Sequence, residues 1–153
     1  MHLGDLRQWL VARDYQRARV ERAEPATLPG HRLVFNCFSP SRGCGAANVE
    51  PASEHDLPGM ALRVDDVALV AIDRKEGHPQ RYRRGPDLLE VTLASGRRVA
   101  AWLYVVRPEF REAGHVPPKR SYVDLLIDVA EQQGFPEWYL RQLRAIEVVG
   151  EGG

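Results

Sequence analysis

The stretch YRRGPDLLEVTLASGRRVAAWLYVV, residues 82–106, reads as two strands folded back on each other. Tyr82–Leu93 and Arg97–Val106 are rich in β-branched, aromatic and aliphatic side chains, and Ala94-Ser95-Gly96 between them suits a hairpin turn. A hairpin makes its two strands antiparallel, so the sheet is largely antiparallel or mixed, without the rhythm of a βαβ repeat. Upstream, Asp65-Asp66 offers an N-cap for a helix carrying Val67, Val70 and Ile72 and running to about Lys75. Gly77 stands where a helix C-terminal glycine belongs. Downstream, Pro117-Pro118 breaks the chain before a helix from about Ser121 to Gln133, which Gly134 ends. Pro136 opens a last helix near Glu137–Ile146.

The N-terminal half carries weaker signals. Leu3, Leu6 and Leu10 form one helical stripe, flanked by Trp9 and Val11. Arg19–Ala23 alternates as a strand does, and Pro25…Pro29-Gly30 reads as a turn. His31–Phe38 is a strand stopped by Ser39-Pro40. Gly43-Cys44-Gly45 reads as a flexible loop, Ala46–Val49 as a short strand ended by Pro51, and Met60–Val64 as another after Pro58-Gly59. Six or seven strands and four helices, irregularly interleaved, give an α+β fold: a small mixed, partly closed β-barrel of about six strands flanked by helices. At 153 residues the chain is long enough for one domain, expected over 1–147, with 148–153 a flexible tail.

Composition narrows the partners. The 21 basic and 21 acidic residues cancel, which removes the bulk electrostatic case for nucleic acid or an anionic membrane. Of the basic residues only Lys75 and Lys119 are lysines, a bias read first as compositional. No apolar run approaches the roughly 20 residues of a membrane span, and no signal peptide follows Met1, so a soluble, cytoplasmic protein is expected. Cys37 and Cys44, without ligand-spaced histidines, read as buried reduced thiols.

Generic catalytic motifs are missing: there is no GxSxG elbow, Walker loop or HExxH. One feature has chemical content. Glu76, in Ile72-Asp73-Arg74-Lys75-Glu76-Gly77, sits at the C-terminal end of a helix, facing the negative end of the dipole. That position disfavours ionisation, as a general base working near neutrality requires. The plainer reading is an exposed glutamate tethered by Arg74 or Lys75.

That segment, with Tyr82 opening the next strand, resembles the LDxxEG…Y segment of the gamma-glutamylcyclotransferase family. The resemblance continues through Gly45–Pro51, Pro58–Val64, Ala101-Trp102-Leu103-Tyr104 and Pro117–Tyr122, and closes with Gly134-Phe135-Pro136-Glu137-Trp138-Tyr139-Leu140. It implies a gamma-glutamylcyclotransferase-like fold and release of 5-oxoproline from a γ-glutamyl compound by intramolecular aminolysis. Such a reaction needs no metal, cofactor or protein nucleophile. The family match makes Glu76 the general acid/base and Tyr122 a contact to the glutamyl carboxylate. It places Tyr104 and Tyr82 near the substrate and leaves Tyr139 to packing.

The family's opening strand and Tyr-Gly-Ser-Asn loop, whose amides bind the substrate carboxylate, have no counterpart here. Met1-His2-Leu3 resembles the residues just after that loop. The expectation is a start codon upstream, and little or no activity from the chain as written. If the chain is active without the loop, Arg42 or Gly43-Cys44-Gly45 are the first candidates to hold the carboxylate. Two other readings follow from the same residues: a non-catalytic small-ligand-binding or scaffold member of the fold, and an amidohydrolase using water activated by Glu76.

Overall fold

The computed structural model describes residues 3–13 and 17–150. Its element order is α1 (Leu3–Ala12), β1 (Val20–Ser39), β2 (Cys44–Val64), α2 (Asp66–Glu76), β3 (Tyr82–Arg84), β4 (Leu89–Leu93), β5 (Arg98–Ala101), β6 (Tyr104–Val106), α3 (Arg120–Gln132) and α4 (Glu137–Arg144), with a 3-10 turn at Pro108–Phe110. The fold is α+β. A four-stranded sheet has the order β2-β1-β4-β5, and β3 pairs with β6 in a second, two-stranded sheet. Among the described residues the larger sheet keeps two edges, β2 and β5, so it is not closed, in keeping with the expected partly closed barrel.

The hairpin at Ala94-Ser95-Gly96 forms as expected. Val91 pairs with Val99 and Thr92 with Arg98, and the Gly96 N–H donates to the Leu93 carbonyl at 2.8 Å. Its two long arms, however, are each broken. Gly85 takes φ +84° and Pro86 lacks an N–H, which ends β3. A Cβ on Gly85 would lie 3.2 Å from the Trp102 ring, so the two interruptions pack on each other.

The expected turn at Pro25…Pro29-Gly30 is absent, and β1 runs straight through it. Pro25 cannot donate, yet its carbonyl accepts the Ala94 N–H at 2.8 Å, and β4 pairs with β1 at Ala26↔Leu93 and Thr27↔Thr92. Gly30 absorbs the irregularity at φ +70°. Likewise β2 passes through Pro51 and Pro58-Gly59 instead of stopping. It is an edge strand, where a residue without an N–H forfeits no ladder bond on the open side. Gly43-Cys44-Gly45 is not a loose loop: Cys44 and Gly45 open β2 and are buried. Cys37 and Cys44 are free, buried thiols.

Contacts gather the chain into two compact units: Met1–Leu28 with Gly59–Val105, and Pro29–Pro58 with Val106–Gly153. The first has its core at Leu6, Leu10, Ala71 and Ile72, closed by Trp9, Val20, Leu62, Val64 and Tyr104. Here the stripe on α1 meets the buried face of α2. Nothing is described of the Leu3 and Val11 side chains, nor of 151–153 in the expected tail. The second unit packs Ala130 of α3 against Tyr139, Leu140 and Leu143 of α4. Each fully buried leucine there contributes roughly 1.5–3 kcal/mol. The Val149 N–H donates to the Pro118 carbonyl at 2.9 Å, anchoring the chain beyond α4.

Helix α2 begins as its sequence requires. Asp65 Oδ1 accepts the Ala68 N–H at 2.8 Å and the Arg19 N–H at 3.2 Å, so one carboxylate caps the helix and ties it to the start of β1. Asp65→Ala is expected to lower stability by about 0.5–2 kcal/mol in a thermal melt, with Asp65→Asn losing much less. Equal melting of the two variants would overturn the capping role.

Candidate active site

Three of the four residues singled out from sequence lie in the first unit. Glu76 is the last residue of α2 and is half-buried. Gly77, at φ 70°, turns the chain out of the helix; its N–H donates to the Arg74 carbonyl at 3.2 Å, and the His78 N–H donates to the Asp73 carbonyl at 2.8 Å. Those bonds satisfy carbonyls that would otherwise end the helix unpaired, and they fix where Glu76 emerges. Tyr82 opens β3 half-buried, and Tyr104 lies on β6, the strand paired with β3.

The residue that organises this end of α2 is Asp73. Arg84 Nε and Nη2 donate to its two carboxylate oxygens at 3.0 and 3.1 Å. The Tyr104 hydroxyl donates to Oδ1 at 2.5 Å. Arg84 also lies over the Trp102 ring at 4.9 Å, and its backbone N–H donates to His78 Nδ1 at 3.0 Å. The His78 ring in turn meets Tyr104 edge-on, with centroids 6.4 Å apart. Strands β3 and β6 and the turn after α2 are thus pinned to one carboxylate.

Burial pushes the Tyr104 phenol well above the ordinary tyrosine range; the Asp73 hydrogen bond and charge add to this, the Glu76 charge adds further, and Arg84 opposes it. Tyr104 is therefore a protonated phenol at any physiological pH. Glu76 is near enough for its charge to act on that phenol. Asp73 lies three residues before Glu76, on the same helical face, and no local motif marks its role.

Tyr122 belongs to the second unit, in the first turn of α3. Its ring is edge-on to Phe35 at 6.0 Å, and the Arg42 guanidinium lies over it at 5.4 Å. Tyr139 is core, as expected; burial, then the neighbouring Tyr122, push its phenol up to about 12. The Gly43-Cys44-Gly45 amides make a poor anion cradle: the Gly43 N–H is given to the Ser39 carbonyl and the Gly45 N–H to the Pro117 carbonyl, both at 2.8 Å. An open depression of about 470 Å³ in this unit, lined by Phe38, Glu112–Val116, includes none of the four sequence-selected residues. Among the described residues, no three His, Cys, Asp or Glu side chains converge to hold a metal ion, and no helix is long and apolar enough to cross a membrane.

The fold is similar to that of a solved structure described as a gamma-glutamyl cyclotransferase, with 20% identity, a TM-score of 0.73, and coverage of 95% of this chain and 86% of that one. It is similar also to the uncharacterized protein loc79017 from Homo sapiens, at 19% identity and TM-score 0.74 over 97% of this chain and 86% of that one. YkqA from Bacillus subtilis matches at 19% identity and TM-score 0.70, over 94% of this chain but 51% of its own. Such identities speak for a shared fold, the gamma-glutamylcyclotransferase-like one. The family model for gamma-glutamyl cyclotransferase, AIG2-like proteins matches residues 3–124, a span that includes Glu76, Tyr82, Tyr104 and Tyr122, and the chain belongs to that family. A relative from Methanocaldococcus jannaschii, named Putative gamma-glutamylcyclotransferase MJ1514, is 39% identical over 56 residues; the aligned stretch spans 37% of this chain and 45% of the relative.

Proposed function

We propose that the protein is a gamma-glutamyl cyclotransferase that releases 5-oxoproline and a free amino acid or amine from a γ-glutamyl compound, with Glu76 as general acid/base. The observation that carries this reading is Glu76 itself: half-buried where α2 ends, with its charge acting on the Tyr104 phenol, in a chain of this family. The substrate brings its own nucleophile. Glu76 takes a proton from the α-ammonium, the freed amine attacks the γ-carbonyl, that proton passes to the leaving amine as the old amide bond breaks, and the new ring nitrogen loses its second proton to give 5-oxoproline and a protonated amine. Holding amine and carbonyl together supplies up to roughly 7–11 kcal/mol of the barrier. The substrate is a dissolved small molecule and the setting cytoplasmic, with no nucleic acid or membrane partner.

Tyr122 is assigned to the glutamyl carboxylate, and the guanidinium of Arg42 over its ring adds positive charge beside that phenol. Tyr122→Phe is expected to raise KM more than it lowers kcat, because a carboxylate contact is made equally in ground and transition states. A loss confined to kcat would remove Tyr122 from carboxylate binding. Tyr82 is assigned to the substrate side of β3.

The test of the whole reading is to incubate the purified protein, both as written and with any in-frame upstream residues restored, with γ-glutamyl amino acids and amines and measure products by mass spectrometry. 5-Oxoproline supports a cyclotransferase. Glutamate in its place favours the amidohydrolase, and binding without turnover favours a non-catalytic ligand-binding protein.

A further inference from the structure

We propose that Asp73 makes Tyr104 an acceptor for the substrate's α-ammonium, so that Asp73 is a positioning residue and the Tyr104 oxygen is an ammonium contact in addition to Glu76. This rests on the cyclotransferase reading and adds to it a role for each of the two residues. A tyrosine hydroxyl has one proton to donate and two lone pairs. In this structure the proton is committed to Asp73 Oδ1, so Tyr104 can meet a ligand only through its lone pairs. A carboxylate has no proton to offer such an oxygen, whereas an ammonium has three. The surrounding charge agrees. Arg84 is paired to Asp73 through both carboxylate oxygens and opposes its charge, while Asp73 and, more weakly, Glu76 both put negative charge on the phenol. His78 cannot substitute as an acceptor through Nδ1, which already accepts the Arg84 N–H. Accepting one ammonium hydrogen at Tyr104 while Glu76 removes another keeps the nitrogen in place as it becomes nucleophilic.

The test separates the amine from the rest of the substrate. Affinity is measured by calorimetry in the Glu76→Gln background, where substrate is not consumed, for a γ-glutamyl amide and for the matching glutaryl amide, identical but without the amine. Asp73→Asn and Tyr104→Phe are each expected to weaken the γ-glutamyl amide roughly ten- to hundredfold, the loss of one charge-assisted hydrogen bond, and to change the glutaryl amide less than about twofold. The double variant should lose no more than the larger single loss, because Asp73 acts through Tyr104. Equal weakening of both ligands would make Asp73 merely structural and overturn the proposal; so would unchanged affinities. Should Asp73→Asn fail to fold, Tyr104→Phe, which removes only one oxygen, carries the same two outcomes. Failure of the underlying reading looks different: no wild-type form of the protein, with or without residues added before Met1, would release 5-oxoproline, whatever these variants bind.

Discussion

In a form of the protein that turns over substrate, Glu76→Gln is expected to lower 5-oxoproline release about 10²- to 10⁴-fold, the usual contribution of a positioned general acid/base, while leaving the fold unchanged. Glutamine keeps the length and shape of the side chain and removes only its ability to take and return a proton. The position is tolerant. Glu76 is the terminal residue of α2, half-buried, and the bonds that end the helix run between the backbones of Gly77, Arg74, His78 and Asp73. A neutral side chain at the negative end of a helix dipole is, if anything, easier to accommodate there. Circular dichroism and melting temperature should therefore match the wild type as turnover falls. Release within about threefold of wild type, roughly 0.7 kcal/mol of barrier, would remove Glu76 from the chemistry. An affinity for the uncyclised substrate that survives the substitution would locate the loss in the chemical step.

How far the sequence leads toward this site depends on the kind of signal involved. Helix α2 is legible because its ends are marked by local chemistry, the Asp65 carboxylate on the Ala68 N–H and the left-handed Gly77. Both act within four residues, and a one-dimensional pattern records them. The hairpin at Ala94-Ser95-Gly96 and the helices following Pro117-Pro118 and Pro136 are legible for the same reason. The length of β1 and β2 is not. Whether a proline stops a strand depends on which neighbour would have used its N–H, and that is decided by sheet order. Pro51 and Pro58 lie on an edge strand, and Pro25 keeps its place through its carbonyl. The break at Gly85-Pro86 is hidden in one dimension, because the residues on either side alternate well enough for one strand.

The site divides along the same line. Glu76 could be singled out from its place at a helix end and from the family motif. Tyr104 could be named but given no orientation, since its hydroxyl answers to an aspartate 31 residues away. Asp73 carried a usable hint, its i,i+3 spacing to Glu76, but its two partners arrive on β3 and β6, and no local pattern joins them. Gly43-Cys44-Gly45 shows the same limit: the carbonyls of Ser39 and Pro117 take two of its three amides, and neither partner is marked in the local sequence.

Gly45→Ala is expected to destabilise the second unit by about 3 kcal/mol or more, the upper end of what overpacking costs. A Cβ at this position would lie 1.8 Å from the Val116 carbonyl oxygen, 2.7 Å from its carbon and 3.0 Å from the Pro117 carbonyl carbon. All three are backbone atoms, so no rotamer change relieves the clash. The Gly45 N–H also donates to the Pro117 carbonyl at 2.8 Å, and Gly45 is itself buried, so the two segments cannot part without breaking a buried hydrogen bond. The displaced segment runs directly into α3, through Pro118, which is fully buried, to Tyr122 in the first turn. Substrate binding assigned to Tyr122 should weaken along with stability. Gly43→Ala is the control, two residues away and glycine for another reason: its φ is +65°, with nothing within 4 Å of an added Cβ. It should cost only the left-handed strain of roughly 1–2 kcal/mol. For a chain of this size the two differ by several degrees in a thermal melt. Gly45→Ala melting at or above Gly43→Ala would mean that β2 and the Val116–Pro118 segment are not packed backbone against backbone as the structure has them.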